Sequence, residues 1–291
     1  MTIAAAPEKP SDDAIAIGLM CKPPRPGVTK TRLAATIGAE LAAALSECFL
    51  RDVALLIAGL ESSHRVQGFG LYTPVDAAAE IRALLPASFK LAPQQGSDFC
   101  TVVHRAVAGL LERCPSGAIL INADSPTLPA AILAEAVRAL GRPGERVVLG
   151  PARDGGYYLI GLKTAYWDLF RDMPWSTPEV AAITIARAGE IGLPVVRLPV
   201  WYDVDDAGGL ACLLDEIAGV RPNFMDVQDT NAQDTNAQDG TARAYPPAPA
   251  TRALLLSRSM IDSRGGGYFF STTPTIGPIG RNRSWRESEG A

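Results

Sequence analysis

Histidine is almost missing from this chain: among 291 residues only His64 and His104 occur, which rules out a site built from several imidazoles. Each reads as a surface or internally satisfied side chain. The five cysteines, Cys21, Cys48, Cys100, Cys114 and Cys212, are odd in number and form no C-x-x-C pair, a usage that suits reduced thiols in a cytoplasmic protein. Two glycine-rich phosphate motifs are absent as well. Lys30-Thr31 follows Thr29 with Gly27 the nearest glycine, so there is no G-x-x-x-x-G-K-[ST], and no G-x-G-x-x-G occurs. Long apolar runs are lacking too. Val53 to Leu60 falls far short of the roughly 20 residues that span a bilayer, so no membrane span is expected. Residues 1–13 carry Glu8, Asp12 and Asp13 instead of a secretory h-region and read as a disordered leader. A net charge of -4 excludes general nucleic-acid binding, which depends on a basic surface.

Against that acidic background stands one basic stretch, KPPRPGVTKTRL from Lys22 to Leu33. Lys22, Arg25, Lys30 and Arg32 place four cations within eleven residues, while Pro23, Pro24, Pro26 and Gly27 forbid a regular helix. The loop opens onto a helical pattern, where free N–H groups favour an anion. The stretch reads either as a phosphate cradle built from side-chain cations or as an exposed basic loop.

The rest of the chain, 47% hydrophobic and 20% charged, has ordinary globular composition. Apolar runs alternate with amphipathic patterns from residue 14 to about 221. The strands expected are 14–20, 65–72, 89–92, 118–123, 146–150, 157–162 and 194–200. The helices expected are 31–60, 77–85 with Asp76 as cap, 98–113, 130–140, 178–191 and 209–218. This alternation predicts one α/β domain, a mostly parallel sheet flanked by helices. Residues 222–291 begin with a repeated QDTNA and read as a low-complexity, disordered tail.

In such a sheet the ligand crevice lies beyond the carboxyl ends of the strands. Four segments are expected there: the basic loop, Asp124, the stretch Arg153-Asp154-Gly155-Gly156, and Asp203 with Asp205. Carboxylates facing cations suit a nucleotide diphosphate carried by Mg²⁺ or Mn²⁺. Asp124 and Asp205 are the candidate metal ligands. Lys22, Arg25, Gly27, Lys30 and Arg32 are the candidates for nucleotide binding, with Lys30 and Arg32 stabilising charge during reaction. Asp154, Gly155, Gly156 and Tyr157 are the candidates for substrate contact, Asp154 as base or hydroxyl acceptor. Simpler roles compete: Asp124 capping the turn at Ser125-Pro126, Asp206 capping a helix, Gly155-Gly156 serving a hairpin, and Tyr157, Trp175 and Trp201 packing as core or rim aromatics.

Four motifs in order, KPPRPGVTKTRL (22–33), ADSP (123–126), GPARDGGYYLIG (150–161) and WYDVD (201–205), resemble a bacterial family of GT-A-fold glycosyltransferases associated with arsenosugar biosynthesis and radical-SAM neighbours. The resemblance covers about residues 14–220. It implies a nucleotide-diphospho-sugar transferase fold, the Lys-Thr-Arg loop near the nucleotide and Asp124 near the metal. Two departures stand out: DVDDAGGL (203–210) where relatives often carry DVDTPEDL, and Asp98-Phe-Cys-Thr in place of the usual Asp-Leu-Gly pattern. The function expected is metal-dependent transfer of a sugar from a nucleotide-sugar to a small-molecule acceptor. The alternatives are nucleotidyl transfer from a nucleoside triphosphate with release of pyrophosphate, and a non-catalytic nucleotide-binding module.

Overall fold

The computed structural model describes residues 13–220 and 248–261. Seven strands, β1 (Ile15–Cys21), β2 (Val66–Tyr72), β3 (Lys90–Pro93), β4 (Ala118–Ile121), β5 (Val147–Pro151), β6 (Tyr157–Leu162) and β7 (Val195–Arg197), form one sheet in the order β3-β2-β1-β4-β6-β5-β7. Four of the six pairings are parallel and two are antiparallel, because β6 runs against both β4 and β5. The sheet is thus mostly parallel, as the alternating pattern requires. A short hairpin at 152–156 reverses the chain into β6. Gly155 sits there at φ 88, and a Cβ on it would come within 2.0 Å of the Pro178 carbonyl oxygen. Only glycine fits.

Helices cover both faces: α1 (Thr31–Ile37), α2 (Ala39–Glu61), α3 (Ala78–Leu84), α4 (Phe99–Leu111), α5 (Ala130–Gly141), α6 (Val180–Glu190), α7 (Ala207–Ile217) and α8 (Pro249–Ser257). The period-2 alternation of a strand divides the core. On β1, Ile15, Ile17, Leu19 and Cys21 enter the larger apolar cluster with Leu45, Phe49, Val53 and Ile57 of α2, whose spacing of four builds one helical face. Ala14 and Ala16 enter the other cluster with Val103, Val107 and Leu110 of α4.

Three expectations need correction. The helix predicted over 31–60 is two helices, broken at Gly38, whose φ of 85 and ψ of 153 lie outside helical space. Asp76 does not cap the following helix: it lies inside a 3₁₀ turn, Val75–Ala77, and α3 begins without a side-chain cap. Residues 248–261, placed by the sequence reading in a disordered tail, contain α8. The buried Asp52 of α2 accepts hydrogen bonds from the Ala250 and Thr251 amides at 2.8 and 2.9 Å, capping α8 from another helix. Leu255 is buried in the larger core cluster, and Arg252 donates to the Ile217 carbonyl at the end of α7 at 3.3 Å. The leader, apart from Asp13, and the rest of the predicted tail, including its repeat, lie outside the described residues. Among the described residues no helix is long and apolar enough to cross a membrane.

The α8 dock carries measurable stability. Asp52→Ala leaves one buried and one partly buried amide without acceptors and should cost about 1–3 kcal/mol in urea unfolding. Asp13→Ala, which removes an ion pair to Arg65 exposed on both sides, should change stability by less than about 0.5 kcal/mol. Equal effects would mean that α8 contributes nothing.

Candidate active site

β1, β4, β5 and β7 point the same way, so the loops after them gather at one end of the sheet with the start of the reversed β6. They line an open cleft of about 720 Å³. Of the residues expected at the site, Lys22, Lys30, Arg32, Asp124, Asp154, Gly156, Tyr157 and Asp205 line it. Three do not. Arg25 turns out to Glu80, with which it forms an exposed ion pair at 2.5 Å. Gly27 forms the outer bend of the loop at φ 73. Gly155 lies in the hairpin behind Gly156, against Pro178.

The basic loop owes its shape to its own chemistry. Thr29 accepts from the Arg25 amide at 3.0 Å and donates to the Pro23 carbonyl at 3.1 Å, closing the proline-rich turn on itself. Lys30 follows in the left-handed conformation at φ 53 and ψ 48, uncommon for a residue with a Cβ. That backbone turn sends its side chain inward, where it is 5% exposed. The ammonium meets Asp124 Oδ1 at 2.5 Å and Asp205 Oδ1 at 2.6 Å, and it sits 5.7 Å from the centre of the Phe49 ring. Burial alone would push the Lys30 pKa down. The charges and hydrogen bonds of Asp124 and Asp205 outweigh it and hold the pKa above the ordinary lysine value. Arg32, largely exposed, reaches the other oxygen of Asp205 at 3.0 Å.

The two carboxylates are held in register by backbone. The Val204 amide donates to the Asp124 carbonyl at 2.9 Å, tying the end of β4 to the segment after β7, and Asn122 Oδ1 accepts from the Asp124 amide at 3.3 Å. Asp206 caps α7 by accepting from the Gly209 amide at 3.0 Å, which leaves Asp205 free to face the cleft. Asp154 accepts from the Gly156 amide at 2.8 Å across the hairpin. Asp203 stands behind these groups. Burial pushes its carboxyl up to about 7, and the charges of Asp154, Asp205 and Asp124 add to the shift. The acids therefore press on one another around a single buried ammonium.

The opposite wall is aromatic. Phe99, half exposed just after the Asp98 cap of α4, packs edge-on to Trp175 at 4.9 Å between ring centres, and Tyr157 meets Trp175 at 6.1 Å. Trp175 Nε1 donates to Cys100 Sγ at 3.2 Å, fixing the ring. Sequence reasoning placed Trp175 among core or rim aromatics and did not select Phe99, Gln94 or Asn122, all of which line the cleft. The usable signals were local: an aromatic side chain directly after a helix cap, and a polar residue directly after a buried strand.

Residues 57–177 match a family model described as an uncharacterised protein conserved in bacteria (DUF2064). The chain has the fold of a candidate nucleotide-diphospho-sugar transferase from Desulfovibrio desulfuricans G20, with 27% identity, 84% of this chain and 94% of that one covered, and a TM-score of 0.66. A 4-diphosphocytidyl-2C-methyl-D-erythritol synthase (15% identity, 66% and 90% covered, TM-score 0.39) and Rv0371c from Mycobacterium tuberculosis H37Rv (17%, 70% and 99%, 0.42) are similar more loosely. At those scores they carry no argument about this cleft. No curated protein matches the chain.

Asp203 sets a pH dependence whose sign follows from its shift. Its folded pKa of about 7 lies above the ordinary 3.8, so the folded protein keeps a proton that the unfolded chain has lost. That contribution is full below about pH 4 and is lost as pH rises through 7. The melting temperature should climb as pH falls from about 8 to about 6, and Asp203→Asn should flatten the climb. An unchanged slope in the variant would place the titration elsewhere.

Proposed function

We propose that the cleft binds the diphosphate of a nucleotide-sugar and transfers the sugar to a small-molecule acceptor. The observation that supports this most is the convergence of Lys22, Lys30 and Arg32 with Asp124, Asp205 and Asp154 in one cleft. That convergence stands on a fold shared with a candidate nucleotide-diphospho-sugar transferase. Lys22 and Arg32, on the open side, offset phosphate charge and stabilise the departing nucleoside diphosphate. Asp154, beside the aromatic wall, accepts a hydrogen bond from the acceptor hydroxyl and acts as base. Phe99 and Trp175 offer a flat apolar face to sugar or acceptor.

Mg²⁺ or Mn²⁺ fits the donor set. Asp124 and Asp205 each turn an oxygen to the same cation, and such a carboxylate pair with substrate phosphates is a common Mg²⁺ environment. Among the described residues no cluster of three or more His, Cys, Asp or Glu side chains is arranged to hold a metal, so the phosphates must complete the set. The metal would supply charge neutralisation at the diphosphate. With its five cysteines free, the enzyme would work in the cytoplasm.

Three cations along one edge suit a triphosphate as well, which keeps nucleotidyl transfer from a nucleoside triphosphate to a phosphorylated small molecule as the second reading. Mass-spectrometric turnover separates the two. The full chain with Mg²⁺ or Mn²⁺ is offered nucleotide-sugars with candidate acceptors, arsenosugar precursors among them, and separately nucleoside triphosphates with sugar phosphates. Free nucleoside diphosphate with a sugar-shifted acceptor is expected. Pyrophosphate with a new nucleotide-linked product would establish the second reading instead. Asp124→Ala should reduce turnover at least about 100-fold, and Asp154→Asn should lower kcat far more than it raises KM. Intact turnover in Asp154→Asn would remove its role as base.

A further inference from the structure

Lys30 engages both carboxylates that would hold the proposed metal. Its ammonium is buried, touches Asp124 Oδ1 and Asp205 Oδ1 together, and rests against the Phe49 ring. A divalent ion held by those two carboxylates would crowd its charge against the ammonium, which already engages one oxygen of each. The rest of the environment sharpens the conflict. The Val204–Asp124 backbone bond and the Asp206 cap on α7 hold the two chain segments that carry Asp124 and Asp205 side by side. Among the described residues no group of three or more His, Cys, Asp or Glu side chains is arranged to hold a metal, so an ion bound without substrate oxygens would be held only weakly.

We propose that Lys30 is a tethered competitor of the metal. It closes the carboxylate pair in the resting protein and yields it when a nucleotide brings phosphate oxygens both to the metal and to its own ammonium. The inference rests on the reading of the cleft as a metal–diphosphate site. The physical logic is exchange without net exposure of charge. An empty pair of half-buried carboxylates at the mouth of β4 would repel, and Lys30 neutralises it. With a diphosphate in the cleft the ammonium would pair with phosphate and Asp124 and Asp205 would be left to hold the divalent ion, so every buried charge would keep a partner. Lys30 lies in the left-handed conformation at the junction between the proline-rich loop and α1, outside the helix itself, so the exchange requires no change in α1. Metal alone then binds weakly. Metal and nucleotide strengthen each other by equal factors, as linkage demands.

The test is Mn²⁺ binding to the full chain without nucleotide, read by electron paramagnetic resonance of free Mn²⁺, in wild type, Lys30→Met and Arg32→Met. Competition predicts that Lys30→Met tightens Mn²⁺ binding about tenfold or more, within the usual range of coupling between sites. Asp205→Asn in the Lys30→Met background should abolish that gain. Arg32→Met also removes a cation from Asp205, but one outside the contested position, and should give a much smaller gain. Equal gains in the two single variants would reduce the effect to general electrostatics and overturn the proposal, as would no gain in Lys30→Met.

Thermal melting covers the case in which Lys30→Met is unstable. Recovery of a cooperative fold on adding Mn²⁺ supports the exchange, whereas a chain that stays unfolded with Mn²⁺ contradicts it. A final arm adds ADP, CDP, GDP and UDP in turn. If none binds while the Mn²⁺ results hold, the nucleotide reading fails and the competition between Lys30 and metal stands.

Discussion

One ammonium shared by two carboxylates organises this end of the molecule. Lys30 comes from the loop after β1, Asp124 from the end of β4 and Asp205 from the segment after β7, and they meet within 2.5 and 2.6 Å. Buried ion pairs seldom add much net stability, because desolvation offsets attraction, but removing one partner is costly. A triad of this kind is better understood as a device that fixes three chain segments relative to one another. It holds a cluster of acids together on a protein that is acidic overall, where burial first and the neighbouring carboxylates second raise the pKa of Asp203.

The scaffold explains why the triad can exist. Parallel strands deliver their carboxyl ends to one side, and the reversal of β6 brings Asp154 and Tyr157 to that side through a tight hairpin. Behind it, α2 does two jobs with residues three apart: Phe49 lies under the Lys30 ammonium, and Asp52 caps α8. Through Arg252, α8 also touches the end of α7, the helix that begins just after Asp205. Helix α8 thus braces α2 and α7, two of the helices that flank the charged centre.

Much of this was legible in the sequence, because it depended on periodicity and on chemistry that is local in the chain. Strand and helix order, the basic loop, Asp124 at a strand mouth and the cap formed by Asp206 are all of that kind. What escaped depended on pairing at a distance. Nothing near Arg25 in sequence marks Glu80 as its partner, 55 residues away, so the loop was credited with four facing cations where Arg25 turns out of the cleft. Asp52 and the amides of 250 and 251 lie about 200 positions apart, and the proline-rich approach and the neighbouring low-complexity repeat hid a nine-residue helix. The break at Gly38 was local and readable in principle, but the spacing of four in Leu33, Ile37, Leu41 and Leu45 runs straight through it. Gly38 interrupts the backbone without disturbing the apolar face.

The most direct measurement is an anomalous-scattering crystal structure of the full chain with Mn²⁺ and a nucleoside diphosphate. The account predicts a manganese peak within ligand distance of both Asp124 and Asp205, the diphosphate beside Lys22 and Arg32, and the Lys30 ammonium withdrawn from the carboxylates onto a phosphate oxygen. A nucleotide bound with Lys30 still seated between Asp124 and Asp205, and no manganese there, would contradict it.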